Sequence, residues 1–259
     1  MKYLMAIFLS GVFLSCVSED GSEPTLNPEA QTQEVSQSDS LINQTIEAHG
    51  GELYDQANYQ FTFREKKYVF KNDGANYSYT SEYQSDEGWQ KDILENGDFM
   101  RFIDGEKLSL SEEDAGKYGE SLNSVVYFAT LPHKLSDASV NSNYIGVVEI
   151  DSVSYESVKV TFSQEGGGED FEDEYFYWIN QQTKLVDYFA YNYKVNGGGV
   201  RFRVAYNQRV VEGITFQDYI NYSAEVGTPL KDLPNLFELD SLQEVSRVEL
   251  VDIKSLNKP

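Results

Sequence analysis

The chain has 259 residues, with 20 lysines and arginines against 43 aspartates and glutamates, and its formal net charge at pH 7 is −23. A protein of that charge repels the phosphates of nucleic acids and anionic lipid surfaces, which argues against nucleic acid as a partner. The chain has a single cysteine, so it cannot form an intramolecular disulfide, and an exported form must be stabilised by its core.

The N-terminus has the pattern of a secretory signal. Met1 and Lys2 form a short cationic start, and residues 3–14 carry no charge. A membrane-spanning helix needs roughly 20 apolar residues, so this segment is too short to cross a bilayer and fits the apolar region of a signal peptide. We predict a signal peptide over residues 1–15.

The single cysteine follows this segment directly. Residues 13–16, Phe-Leu-Ser-Cys, resemble a bacterial lipobox, in which the cysteine becomes the N-terminus of the mature protein and is acylated, for example with palmitate. The alternatives are a buried structural cysteine and a reactive thiol, but the nearby acids Glu19 and Asp20 do not favour the thiolate that a reactive cysteine needs. The resemblance implies that Cys16 anchors the protein to a membrane that the chain does not span.

Residues 16–38 contain the anchor and a polar segment. This segment has no aromatic residue and is rich in Ser, Glu, Gln, Pro and Thr, so it cannot bury enough apolar area to fold and is predicted to be a flexible tether. Ser18-Glu19-Asp20 resembles the signal that sends some Bacteroidota lipoproteins to the outer face of the outer membrane, although these residues can equally be tether charges. We therefore expect an outer-membrane lipoprotein that faces the periplasm or the cell surface and uses lipoprotein export machinery.

Residues 39–259 are predicted to form one β-rich domain. It begins with a short amphipathic helix that Asp39 or Ser40 caps and Gly50-Gly51 ends; one face of this helix carries Ile42, Ile46 and His49. A period of two follows in several runs, separated by glycine-containing turns, and predicts antiparallel strands. The aromatic or aliphatic positions of three such runs are Tyr59, Phe61 and Phe63; Tyr77, Tyr79 and Tyr83; and Val158, Val160 and Phe162.

A second helix interrupts the strands within residues 121–137. Its helical spacing places four apolar residues on one face, and Pro132 follows its end: Leu122, Val125, Val126 and Ala129. A large sheet must bury one face against another layer. We therefore predict a mainly β protein of the α+β type, with a large curved antiparallel sheet that forms an incomplete barrel around one or two short helices.

Four segments carry a resemblance to known proteins. Residues 47–64, 123–132, 166–179 and 197–209 resemble the blocks of an uncharacterised family of Bacteroidota envelope lipoproteins. With the order of helix, meander, helix and meander, they are also similar in architecture to the LolA-like and LppX-like lipoprotein-carrier superfamily. This resemblance implies an incomplete barrel that wraps helices over an apolar cavity.

The last long strand pattern carries the most distinctive polar residues. Strict alternation places Arg201, Arg203, Ala205, Asn207 and Arg209 on one strand face. In one interpretation Arg201 and Arg203 pair across strands with carboxylates, namely Asp173, Glu174 or Asp187. In the other they hold the carboxylate or phosphate head group of a ligand. The apolar part of that ligand would contact four aromatic residues, namely Phe176, Trp178, Tyr188 and Tyr191. Asp187, Tyr127 and His133 are further candidates for binding the ligand.

The leading hypothesis is a lipoprotein that binds a lipid-like or amphiphilic ligand without catalysis and without a cofactor. One alternative is a hydrolase or lyase that uses Asp170, Asp173 or Asp187 with His133; the chain has no G-x-S-x-G, P-loop or dinucleotide-binding pattern. A structural or protein-interaction module is another alternative. Asp170 and Asp173 are also weak calcium candidates, against the simpler interpretation of a charged hairpin turn.

Overall fold

Two seven-stranded antiparallel sheets make up most of the structure, a computed structural model that describes residues 36–163, 173–194 and 197–257. The first sheet has the strands β1 (Asn58–Phe63), β2 (Lys66–Asp73), β3 (Asn76–Ser85), β4 (Gly88–Glu95), β5 (Asp98–Ile103), β6 (Glu106–Lys107) and β14 (Val251–Ser255). The second has β7 (Val140–Ile150), β8 (Val153–Phe162), β9 (Tyr175–Asn180), β10 (Val186–Tyr193), β11 (Gly199–Val211), β12 (Ile214–Ala224) and β13 (Gln243–Val248).

The strands follow the predicted meander. Their order is β14-β1-β2-β3-β4-β5-β6 in the first sheet and β13-β12-β11-β10-β9-β8-β7 in the second, so most strands pair with their neighbours in the chain. The last two strands connect the two sheets, because β13 pairs with β12 while β14 pairs with β1. Neither sheet closes into a barrel. The predicted class, a mainly β protein with an unclosed antiparallel architecture and few short helices, is confirmed.

The first helix, α1 (Gln37–His49), begins earlier than predicted. Its cap is Ser36, whose hydroxyl accepts a hydrogen bond from the backbone N–H of Asp39 at 3.1 Å, so neither of the two predicted residues caps it. Regular structure therefore begins inside the segment that was predicted to be a tether. The predicted end is confirmed: Gly50 has φ = 139°, a conformation that L side chains rarely adopt.

The second helix, α2 (Glu112–Ala129), is longer than its apolar pattern predicted. Ser111 caps it by accepting the backbone N–H of Asp114 at 3.1 Å. Its first half is polar and therefore lacks the apolar period that predicts a helix, whereas Leu122 and Val126 in its second half are buried. A short third helix, α3 (Leu233–Glu238), was not predicted.

Three buried clusters connect these elements. The first joins the first sheet to α2 and contains Phe61, Phe70, Tyr79, Leu122 and Val126. The second joins one face of the second sheet to α1, with Ile42, Tyr177, Phe189 and Tyr219 among its members. The third covers the opposite face of the second sheet, where Trp178, Ala190 and Phe202 meet Leu230 and Leu233. Helices thus cover both faces of the second sheet.

The predictions for the N-terminus concern residues that the structure does not describe. Residues 1–35 lie outside the described part of the chain, and they include the predicted signal peptide, the anchor Cys16 and the export signal Ser18-Glu19-Asp20. Among the helices in the described part, none combines the length and the apolar character that a membrane span requires.

Candidate ligand cavity

A cavity of about 240 Å³ lies between the second half of α2 and strands of both sheets. From α2 it is lined by Val125, Phe128 and Ala129. The second sheet contributes Tyr191, Arg203 and Asn221, and the turn after β1 contributes Arg64. A cavity with aromatic and aliphatic walls and a few convergent polar groups has the composition of a small-molecule binding site.

The charge of the cavity is opposite to that of the chain. Arg64 and Arg203 both line it, and none of the described residues that line it is an aspartate or a glutamate. The whole chain, in contrast, has 43 acidic against 20 basic residues. The cavity is therefore a local positive site in a strongly acidic protein.

Arg203 is buried in this wall, with 8% of its surface exposed. One Nη donates a hydrogen bond to the hydroxyl of Tyr191 at 3.0 Å, and the guanidinium carbon lies 4.2 Å from the ring centre of Phe128 and 5.3 Å from that of Phe189. Its Nε is buried without a hydrogen-bond partner among the described residues, and no carboxylate in that part of the chain forms an ion pair with it. Arg203 therefore carries a buried positive charge that aromatic rings contact and that no described carboxylate neutralises.

Neutral polar side chains surround this arginine. Asn221 lies directly opposite Arg203 in the pairing of β11 with β12, and its Nδ2 donates to the hydroxyl of Ser246 at 3.2 Å. Its Oδ1 is buried without a partner among the described residues. Burial raises the pKa of Tyr219 well above its usual value, so this phenol stays neutral. The site can thus offer a charged donor beside an unused acceptor.

The prediction that five residues of β11 share one face is wrong beyond Ala205. Arg203 lies opposite Asn221, whereas Arg209 lies opposite Phe216, and positions five apart on one strand point to opposite faces. A β-bulge between Tyr206 and Arg209 causes the switch, and within it Asn207 has φ = 50°.

The residues beyond this bulge have partners of their own. Arg209 and Asn207 both hydrogen-bond the carboxylate of Asp218, at 2.9 and 2.6 Å. Arg209 is therefore held by a cross-strand carboxylate, whereas the cross-strand interpretation predicted such a pair only for Arg201 and Arg203.

Arg201 does share the face of Arg203 but does not line the cavity. Its guanidinium donates to the hydroxyl of Tyr193 at 2.6 Å and to the backbone oxygen of Val200 at 3.0 Å. Two of the carboxylates proposed as partners of these arginines are occupied elsewhere. Glu174 pairs with Lys159, and Asp187 accepts hydrogen bonds from three side chains, those of Tyr155, Asn180 and Gln208.

The predicted aromatic residues divide between the two faces of the second sheet. Tyr191 lies in the cavity wall, but Tyr188, Trp178 and Phe176 belong to the cluster on the opposite face. A bulge between Val186 and Tyr188 displaces Asp187 from the regular alternation. Together with Asn207, Asp187 and Tyr188 line a separate groove of about 420 Å³. These residues are therefore not part of the site around Arg203.

The two candidates from the second helix and the following loop are half-buried and contact other aromatic residues. The hydroxyl of Tyr127 is 3.3 Å from that of Tyr177. The ring of His133 stacks on Tyr54 with 4.5 Å between ring centres, and burial lowers its pKa. Neither residue lines the cavity among the contacts described.

The arrangement required by the hydrolase or lyase hypothesis does not form between His133 and Asp187. The carboxylates whose charges act on His133 are Asp137 and Asp55, while Asp187 is occupied by its own three donors. Asp170 lies outside the described residues, and Asp173, the other calcium candidate, is buried. Within the described ranges, no three His, Cys, Asp or Glu side chains are placed to hold a metal ion.

A larger groove of about 840 Å³ lies along the first half of α2, between this helix and the turns of the first sheet. It contains one lysine and several carboxylates, which are Glu95, Asp98, Glu112 and Glu120. This groove is therefore acidic, whereas the smaller cavity is basic.

Sequence reasoning missed the polar residues of β12 that face the cavity. Gln217 and Asn221 are both buried and line it. Their signal was available, because burying two amides at even spacing in a strand is costly unless each amide has a hydrogen-bond partner or a ligand.

A protein family described as "Family of unknown function (DUF6503)" matches residues 2–250 of the chain. No curated protein matches this chain significantly. Similar solved structures include a LolA superfamily protein from Nitrosomonas europaea, with 14% identity, a TM-score of 0.49 and coverage of 85% of this chain and 94% of that one.

Two further solved structures are also similar to this chain. A DUF1329 family protein from Desulfovibrio piger has 10% identity, a TM-score of 0.42 and coverage of 85% and 92%. The lipoprotein LppX from Mycobacterium tuberculosis has 11% identity, a TM-score of 0.29 and coverage of 62% and 89%. The matched structures thus include a LolA superfamily protein and LppX, and at these identities a function must be inferred from the cavity of this chain itself.

Proposed function

The chain belongs to DUF6503, a family of unknown function, and we propose that it is a cell-envelope lipoprotein that binds a lipid-like or amphiphilic molecule without catalysis. The observation that supports this function is the cavity beside Arg203, which lies between α2 and strands of both sheets and has apolar walls on α2. A fully packed core would leave no room for a ligand, since protein interiors have few voids larger than a water molecule.

The volume limits the ligand. A space of about 240 Å³ exceeds the roughly 150 Å³ that holds a benzene molecule in an engineered apolar cavity. It therefore admits a small amphiphile, or the head group and first carbons of a longer one. Arg64 is exposed at the turn after β1 and lines the same cavity, so this side provides the entrance.

Filling the cavity tests this function. Ala129 lies in its wall, and Ala129→Phe adds a ring to the space that a ligand would occupy. Ser121→Phe, on an exposed position of the same helix, is the matched control. Binding of a neutral environment-sensitive fluorophore, N-phenyl-1-naphthylamine, should weaken at least about tenfold in the first variant and remain unchanged in the control.

Native mass spectrometry of the gently purified protein provides a second measurement. A co-purifying small molecule should be present in the wild type and absent from Ala129→Phe. Equal fluorophore binding by the wild type and Ala129→Phe, with no co-purifying molecule in either protein, would reject a ligand-binding function and favour a protein-interaction module.

The proposed anchor has a separate test. Palmitate with a clickable tag should label the wild type in a bacterial host that processes lipoproteins, and Cys16→Ser should abolish the label. Protease treatment of intact cells then separates the two orientations, because a surface-facing protein is degraded and a periplasmic one survives. Labelling that persists in Cys16→Ser would disprove the anchor.

A further inference from the structure

The inference concerns the head group of the ligand, and it rests on the proposed function. We propose that the cavity selects an amphiphile whose head carries a single anionic oxygen group next to a hydrogen-bond donor. A carboxylate with a neighbouring hydroxyl or amide N–H has this chemistry. The apolar part of the ligand would lie against Phe128 and Val125 of α2.

The unneutralised charge of Arg203 supports the anionic group. A buried guanidinium without a counter-ion is costly, and pairing it with an anion in a dry site recovers much of that cost. The same wall contains Arg64 and no acidic residue among those described. An amine head group would face two positive charges and no carboxylate among the described lining residues, so the cavity discriminates against cations.

The free Nε of Arg203 supports an oxygen anion in particular. One Nη donates to the hydroxyl of Tyr191, while Nε has no acceptor within the described ranges. Arginine binds carboxylates through parallel N–H groups at the edge of its planar fork. The ring of Phe128, 4.2 Å from the guanidinium carbon, covers one face of the group, which leaves its edge for the ligand.

The free Oδ1 of Asn221 supports the neighbouring donor. This oxygen is buried without a partner among the described residues, and Asn221 is directly opposite Arg203 across the two strands. Side chains in that relation have their Cβ atoms about 5 Å apart, so one small head group can reach both. A simple carboxylate satisfies the arginine but leaves the amide oxygen unsatisfied, whereas a hydroxyl or amide N–H beside the carboxylate satisfies both.

Four eight-carbon compounds test this selectivity by displacing N-phenyl-1-naphthylamine from the wild type at pH 7.5: octanoate, 3-hydroxyoctanoate, octanol and octylamine. Octanoate should bind at least about tenfold more tightly than octanol, because a hydrogen bond to a charged group is about twice as strong as one between neutral groups. The hydroxy acid should bind about fivefold more tightly than octanoate, and octylamine should bind most weakly.

Two variants assign the effects to their residues. Arg203→Gln should remove the preference for the acid over the alcohol, and Asn221→Leu should remove only the preference for the hydroxy acid. Arg201→Gln, on the same strand face but outside the cavity, should change neither ratio. The wild-type series decides the question even where a variant does not fold.

The outcomes separate this inference from the function on which it rests. If octanol binds as tightly as octanoate, or octylamine more tightly, the head-group inference is overturned while the ligand-binding function stands. If no compound displaces the fluorophore and Ala129→Phe binds it as the wild type does, the function itself fails.

Discussion

Replacing Arg203 by methionine should leave the ligand-free protein more stable, although the replaced residue is buried. An unpaired buried charge costs several kcal/mol, here taken as about 5. Its hydrogen bond to Tyr191 returns about 2 kcal/mol, and its contact with the ring of Phe128 about 2 kcal/mol more. Methionine removes all three contributions and keeps most of the side-chain volume. We expect the free energy of unfolding to rise by about 1 kcal/mol.

Urea unfolding followed by the fluorescence of the buried Trp178 measures this change. Arg201→Met is the matched control, since Arg201 is only half-buried and its guanidinium donates to the hydroxyl of Tyr193 and to the backbone oxygen of Val200. Its loss should lower the free energy of unfolding by about 1 kcal/mol. A loss of 2 kcal/mol or more in Arg203→Met would refute the reasoning, because it would show that Arg203 stabilises the fold instead of being retained for a ligand.

Three other predictions concern stability. Burial lowers the pKa of His49 from 6.5 to about 4, so on acidification the unfolded chain takes up a proton that the folded chain does not. The free energy of unfolding should therefore fall by up to about 3 kcal/mol between pH 7 and 4. In urea titrations, His49→Gln should reduce this dependence on pH. Asp92→Ala removes the acceptor of two hydrogen bonds from Arg101, at 2.7 and 2.9 Å, and should cost about 3 kcal/mol in thermal unfolding. Ser36→Ala should cost about 1 kcal/mol, whereas Ser40→Ala should change stability by less than about 0.5 kcal/mol; equal costs would contradict the observed cap.

Much of the fold was predictable because burial imposes its period on the sequence. Tyr59 and Phe61 alternate in β1, and Ile42 and His49 share the buried face of α1, so in both cases one face meets the core. The first half of α2 was not predictable in this way. That half lies along an open groove and packs little apolar surface, so the helical period begins only near Leu122.

The site was harder to predict because it depends on irregularities of single strands. Arg203 was placed on the correct face, since alternation holds from Arg201 to Ala205. One extra residue then moved Arg209 to the other face, and the one signal in that stretch is Asn207, a residue type that tolerates the positive φ it adopts in the bulge. The separation of Tyr188 from Tyr191 was predictable, because residues three apart on a strand point in opposite directions.

The contrast between an acidic protein and a basic cavity has a kinetic consequence. An anionic ligand must cross the repulsive field of a chain with net charge −23 before it reaches Arg203. Raising the ionic strength from 0.01 to 0.15 M shortens the range of that field from about 30 to about 8 Å, while the buried contact with Arg203 is screened much less. Uptake of the ligand should therefore accelerate with salt, the reverse of an electrostatically steered association, and release into a dilute medium would be followed by slow recapture.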